Sequence, residues 1–204
     1  MSHNQQHRRL LFSFLGLNRT TLALLLMVIL VDLGERLGER FLPIYIMALG
    51  GGVIAVGGLN AMDNFLSAIY SLIGGVVAEK LGDKKSLRYF NILAMIGFGV
   101  VLAVPRWEAV LVGAAFFISW SAISLPATMS LVSKVLPPAK QTMGVSMHSL
   151  MRRIPMAIGP LVGGTCIDFF GIRSGIRIAF GLAILTACLA LFLQEKMIVY
   201  KAEV

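Results

Sequence analysis

The 204-residue chain is 57% hydrophobic and only 14% charged, with a mean hydropathy of +0.84. Soluble domains carry about 25% charged residues, so a water-soluble fold is excluded. The formal charge of +8 does not indicate a nucleic-acid partner, because the bases are not interleaved with aromatic residues. Apolar stretches of about 18 residues or more are transmembrane candidates, and most of this chain consists of them. The composition defines an all-α polytopic membrane protein embedded in a lipid bilayer.

Residues 1–20 form an N-terminal tail. Within it RRLLFSFLGL (8–17) has the apolar character of a signal segment but no small-residue cleavage site, so an interfacial segment leading into the first span is expected. A six-helix bundle then covers 21–195, with transmembrane helices expected at about 21–49, 53–78, 89–104, 109–131, 142–169 and 175–193. Residues 196–204 make a second tail. The breaks fall at Gly50-Gly51-Gly52, Pro105, Pro137-Pro138, and Gly171 with Gly175. Such short connections place successive spans side by side and antiparallel.

Lys and Arg divide unevenly between the two ends. Arg8, Arg9, Arg19, Lys80, Lys84, Lys85, Arg88, Lys134, Lys140, Lys196 and Lys201 fall at one end, and Arg106, Arg173 and Arg177 at the other. The positive-inside rule therefore puts both termini in the cytoplasm, and a plasma (inner) membrane is expected. Cys166 and Cys188 lie in apolar segments with neither metal-ligand nor redox spacing. No metal and no cofactor is expected.

The first span begins LALLLMVILV (22–31) and then carries Asp32, Glu35, Arg36, Glu39 and Arg40. At ~100° per residue these five fall within an arc of about 140°. Five charges cost on the order of 15 kcal/mol on the insertion scale, whereas the Leu, Ile, Val and Phe residues of this helix return only about 7 kcal/mol. The stripe must therefore meet other charges, water or polar neighbours. The second span holds Asn60, Asp63, Asn64, Ser67, Tyr70, Ser71 and Gly74 within a band of about 120°. The fifth has Arg152 and Arg153, with His148 one turn earlier.

At ~1.5 Å per residue, Arg152 lies about 15 Å and Glu35 about 21 Å from the cytoplasmic end, and Asp63 about 15 Å from the outer end. All three are near the middle of a ~30 Å hydrocarbon core. Asp32, Glu35, Glu39 and Asp63 balance Arg36, Arg40, Arg152 and Arg153. Charges at this depth usually line a solute or ion pathway. The expected pathway residues are these eight together with Asn60 and Asn64. The arginines suit an anionic or polar group of a small solute, and Asp63, Glu35 and Glu39 suit proton coupling. The competing reading is an ion-pair network that only fixes helix packing. Catalysis is not expected: Ser146 and His148 lie about 200° apart around their helix.

GGVVAEKLGDKKSL (74–87) resembles the cytoplasmic signature of the major facilitator superfamily, Gly-x-x-x-Asp-Arg-x-Gly-Arg-Arg/Lys, between helices 2 and 3. Gly75, Glu79, Lys80, Gly82 and Lys84 fit it, with Glu79 in place of Asp and Asp83 where a basic residue is usual. RIPMAIGPLVGG (153–164) is similar to the family's antiporter element Gly-x-x-x-Gly-Pro-x-x-Gly-Gly, with Pro155 at the first Gly position, followed by Gly159, Pro160, Gly163 and Gly164. The fourth span lacks the family's common Arg-containing element.

The resemblance implies a secondary transporter of a small polar or charged solute, proton-coupled and working by alternating access. Residues 75–84 would form its conformational latch. Pro155 and Pro160 would bend helix 5, while Gly159 and Gly163 would admit a close neighbour. Six helices are half of the family's usual twelve. The resemblance thus implies half of a major-facilitator-type fold, two inverted three-helix repeats, with a second six-helix unit (the missing half or another copy) as partner. The alternative is a non-transporting membrane scaffold or partner subunit with an internal charge network.

Overall fold

The computed structural model describes residues 19–118, 120–135 and 141–197. The expected interfacial segment, the break at Pro137-Pro138 and the end of the C-terminal tail lie outside the described residues. Helix is the only regular structure among those described: α1 (Arg19–Glu39), α2 (Leu42–Ala48), α3 (Val53–Leu81), α4 (Asp83–Ala103), α5 (Trp107–Phe117), α6 (Trp120–Val135) and α7 (Gln141–Met197). Among the described residues, four stretches are long and apolar enough to cross a membrane: Val53–Leu81, Asp83–Ala103, Trp107–Ser130 and His148–Lys196. In α1 the charges from Asp32 onward interrupt what is otherwise an apolar run.

The element boundaries follow from local chemistry. The expected first span over 21–49 is broken at Arg40-Phe41, because Pro43 has no N–H for the Glu39 carbonyl four residues back. The helix resumes as α2 with Pro43 in its first turn. Between α3 and α4, Gly82 turns the chain with φ 81° and donates its N–H to the Ala78 carbonyl at 3.0 Å. Helix α4 starts at Asp83 rather than at 89, since the four charges within 83–88 (Asp83, Lys84, Lys85 and Arg88) oppose insertion into lipid but not helix formation. Ser86 secures this start by reaching the carbonyls of Val77 at 3.0 Å and Gly82 at 2.9 Å.

Helix α7 is two arms joined at Gly171, whose φ of 76° and ψ of 167° leave the helical region. A side chain at Gly175 would collide with the Cys166 carbonyl, so the chain folds straight back on itself. The close approaches of α1 give the directions of both arms. A Cβ at Gly159 would stand 2.6 Å from Arg36 Cβ, and one at Gly163 would collide with the Leu37 carbonyl. A Cβ at Gly34 would stand 2.9 Å from Thr186 Oγ1, and one at Gly38 2.5 Å from Phe180 Cζ. Residue numbers rise together along α1 and the first arm and run opposite along the second. Helix α1 is therefore parallel to the first arm and antiparallel to the second, and it shares its most extensive interface with α7.

Small residues let helices approach closely in lipid, where burial of apolar surface gives no drive for association. Gly97 and Gly113 do this between α4 and α5: a Cβ at either would come within 3 Å of the other's carbonyl. Beside them Phe98, Phe117 and Phe180, all fully buried, meet at centroid distances of 4.7, 5.9 and 5.6 Å. They join α4, α5 and the second arm of α7.

Polar ties close both ends of the bundle. At one end Arg88 pairs with Glu195 at 2.8 Å and Gln194 donates to the Lys84 carbonyl at 2.6 Å. At the other, Arg173 donates to the Ala48 carbonyl through Nε at 3.1 Å and Nη2 at 2.7 Å, capping the end of α2.

Candidate functional site

Helix α1 presents its charges as a graded series. Asp32 and Glu35 are fully buried, Arg36 and Glu39 are largely buried, and Arg40 is exposed. The first arm of α7 supplies the partner of the deepest member. Arg152 lies about two turns before Gly159 and so shares its face, and its Nε donates to Asp32 Oδ2 at 3.0 Å.

A narrow crevice surrounds this pair, lined by Val28 and Asp32 of α1, Trp120, Ser124 and Thr128 of α6, and His148 and Arg152 of α7, with no room for a water molecule. Thr128 bonds back to the carbonyls of Ser124 and Leu125 at 3.1 and 2.9 Å. Asp32 Oδ1 and Trp120 Nε1 are buried without a hydrogen-bond partner. Leaving such a group unsatisfied costs about 1–3 kcal/mol, and more when it is charged.

A second cluster sits nearer the surface. Arg36 Nη1 donates to Glu39 Oε2 at 2.6 Å, while Glu35, Asp32 and Asp63 also act on Arg36 electrostatically. Asp63 brings the polar face of α3 within electrostatic reach of the stripe of α1. Ser67 donates to Asp63 Oδ1 at 3.5 Å. Asn60 and Asn64 remain exposed one turn apart, linked by Asn64 Nδ2 to the Asn60 carbonyl at 2.8 Å. Arg153, adjacent in sequence to Arg152, points outward. The ten residues expected along one pathway thus divide into a deep pair, a largely buried cluster and an open rim.

In the signature segment the glycine packed tightly is Gly74, not Gly75. A Cβ at Gly74 would collide with the Ile123 carbonyl, whereas one at Gly75 would meet nothing within 4 Å. Glu79 and Lys80 are exposed. Lys84 lies 3.9 Å from Glu195 Oε2. Asp83, the residue out of pattern, is buried and accepts a hydrogen bond from Ser130 of α6 at 3.0 Å. Helix α7 continues through Pro155, which is buried, and Pro160, which is half-buried. A Cβ at Gly164 would make ordinary contact with Phe41 at 3.7 Å.

Trp120, Ser124 and Thr128 were not among the expected site residues. Their spacing of i, i+4 and i+8 on one face of an apolar span is the signal that could have found them. Asn91 of α4 was missed as well; it is buried and donates to the Ala187 carbonyl at 3.2 Å.

Helices long and apolar enough to cross a membrane make this an integral membrane protein. The model of the Major Facilitator Superfamily matches residues 10–197. The chain belongs to that family of membrane transporters. Comparison with individual curated proteins gives no match.

Proposed function

We propose that this chain is one six-helix half of a secondary transporter that carries a small polar or charged solute by alternating access, driven by protons. In this reading α1 with α2, then α3, α4, α5 with α6, and the two arms of α7 are the six spans. They form two inverted three-helix repeats, and the basic end faces the cytoplasm with both termini.

The observation that carries the reading is the open polar face of α3. Asn60 and Asn64 are exposed on a helix long and apolar enough to span the membrane, flanking Asp63, which acts electrostatically on Arg36. Asn64 satisfies one donor on the Asn60 carbonyl, but the remaining amide atoms would each cost several kcal/mol against hydrocarbon, so this face belongs to a water-filled cavity or to a second six-helix unit. Arg36, Arg40 and Arg153 then offer donors to an anionic or polar group of the solute. Glu79 and Lys80, exposed on the same helix, are free to latch onto that second unit.

The test is water access. In a background lacking Cys166 and Cys188, single cysteines at positions 59, 60, 64 and 71 are treated with a charged thiol reagent in intact membranes. Reaction at 60, 64 and 71 with protection at 59 is expected. Protection at every position overturns the cavity and leaves the non-transporting scaffold.

A further inference from the structure

We propose that the end of the bundle opposite Arg88 and Glu195 holds the phosphate group of an anionic phospholipid, gripped by Arg173, Arg177 and the hydroxyl of Tyr45. This goes beyond the transport reading and does not rest on it.

The register between helices brings the three residues together. The close approaches of Gly34 to Thr186 and of Gly38 to Phe180 set α1 antiparallel to the second arm of α7. The Arg173 bonds to the Ala48 carbonyl extend that register to the end of α2. Tyr45 lies one turn before Ala48 and Arg177 one turn after Arg173, so the register sets them opposite each other. Arg177 and Arg173 are accordingly the charges that act on Tyr45.

The partners of these groups are incomplete. Tyr45 is 0% exposed, yet its hydroxyl has no hydrogen-bond partner, whereas buried polar groups normally have one. Arg173 uses Nε and Nη2 on the Ala48 carbonyl, which fixes its guanidinium and leaves Nη1 for another acceptor. Arg177 is exposed, and among the described residues neither arginine pairs with an acid. Glu108 at this end lies 3.7 Å from Arg106, and Asp168 of the first arm makes no ion pair with Arg173 or Arg177. Two cations and a buried donor meet with no anion among them.

Depth and surroundings select a lipid. Arg177 stands within two turns of the corner at Gly171, about 9 Å along the helix at ~1.5 Å per residue. The headgroup layer is about 5–7 Å deep on each side of the membrane, and a long side chain just below it extends back to the phosphates. Beside Arg177, the residues Ile178, Leu185, Leu189 and Phe192 form an exposed apolar stripe along the same arm, a surface for an acyl chain. A phosphate ester has enough acceptor oxygens to take guanidinium donors and a hydroxyl together. The site offers no acid to the ammonium of a zwitterionic headgroup, so it favours a headgroup of net negative charge. Arg177, exposed and unpaired, turns to the phosphate and admits one of its oxygens to the Tyr45 hydroxyl.

The experiment is native mass spectrometry of the full chain released from micelles containing phosphatidylglycerol and phosphatidylcholine in equal amounts. Phosphatidylglycerol is expected to be retained in preference. Arg177→Gln and Tyr45→Phe should each weaken one bound phosphatidylglycerol by about tenfold. Arg106→Gln, at the same end but outside the site, should leave retention unchanged. The Tyr45 hydroxyl has no partner within the protein, so Tyr45→Phe should leave the melting temperature in lipid-free micelles unchanged or raised.

Equal retention of the two lipids, unchanged retention in Tyr45→Phe, or an equal loss in Arg106→Gln overturns the proposal. So does a lower melting temperature of lipid-free Tyr45→Phe, because the hydroxyl would then serve the fold. If Arg177→Gln fails to fold, as read by helical circular dichroism, Tyr45→Phe decides. Displacement of the bound lipid by soluble glycerol phosphate would make the ligand a free phosphate ester and overturn the lipid assignment.

Discussion

Gly74 and Gly75 are neighbours in one helix, and alanine at the two should act in opposite directions. Alanine gains about 1 kcal/mol over glycine in a helix interior, and that gain is common to both positions. At Gly75 the new methyl meets open space, so Gly75→Ala should be neutral or stabilising by up to about 1 kcal/mol. At Gly74 the methyl would collide with the Ile123 carbonyl and lie 2.9 and 3.0 Å from the carbonyl carbon and Cα of the same residue. Carbon pairs rest at about 3.5–4.0 Å, so α3 and α6 must separate by roughly 0.5–1 Å. The obstacle is backbone, which no rotamer change can remove. Overpacking of this kind costs about 1–3 kcal/mol. The difference between the two variants isolates the packing cost and should therefore be about 1–3 kcal/mol in favour of Gly75→Ala. Unfolding of the purified chains in mixed detergent micelles, followed by helical circular dichroism, measures it. Equal stabilities, or a less stable Gly75→Ala, would refute the placement of α3 against α6.

Three further outcomes follow from the polar contacts. In a double-mutant cycle at alkaline pH, Asp32→Asn and Arg152→Gln should each cost about 3–5 kcal/mol, because each strands a buried partner; the double variant should lose clearly less than the sum, and strict additivity in the unfolding curves would contradict the pair. Asp83→Arg brings the signature closer to the family pattern, yet it should destabilise by about 1–3 kcal/mol, because the buried Asp83 accepts the Ser130 hydroxyl; a higher melting temperature would contradict this. Glu195→Ala removes ion pairs whose side chains are 33–47% exposed and should cost less than about 1 kcal/mol, whereas Gln194→Ala deletes a fully buried side chain together with its hydrogen bond to the Lys84 carbonyl and should cost about 1–3 kcal/mol. Equal melting shifts for these two would count against the structure.

The helical membrane class could be read from composition, and the unusual chemistry of α1 from its charges. Depth arithmetic brought Arg152 close to the level of the α1 acids, and the parallel packing of α1 on the first arm of α7 puts it against Asp32. The arc of the stripe could not say which helix stands opposite each charge, so the division into deep pair, largely buried cluster and open rim was not legible. Trp120, Ser124 and Thr128 were hidden for a different reason: two hydroxyls in an apolar run barely change its hydropathy, and their importance comes from what α1 and α7 place before them. Gly74 and Gly75 are equivalent as local sequence, and only the register of Ile123 separates them. Pro43 stood inside the expected 21–49 span and was passed over, although its missing N–H accounts for the end of α1 at Glu39.

The corner at Gly171 has a mechanical consequence. Two arms joined through a single non-helical residue, with Gly175 already against the Cys166 carbonyl, have no slack. Neither can slide past the other by a helical turn, and neither can tilt without carrying its neighbour. The hairpin behaves as one rigid lever, and α1, wedged along both arms by Gly34, Gly38, Gly159 and Gly163, rides with it. The connection to α3 turns about Gly51, which is packed against Ile46 and Trp107, while Gly50 and Gly52 on either side of it, where an added Cβ would touch nothing within 4 Å, leave the space in which this three-helix plank and α3 can adjust.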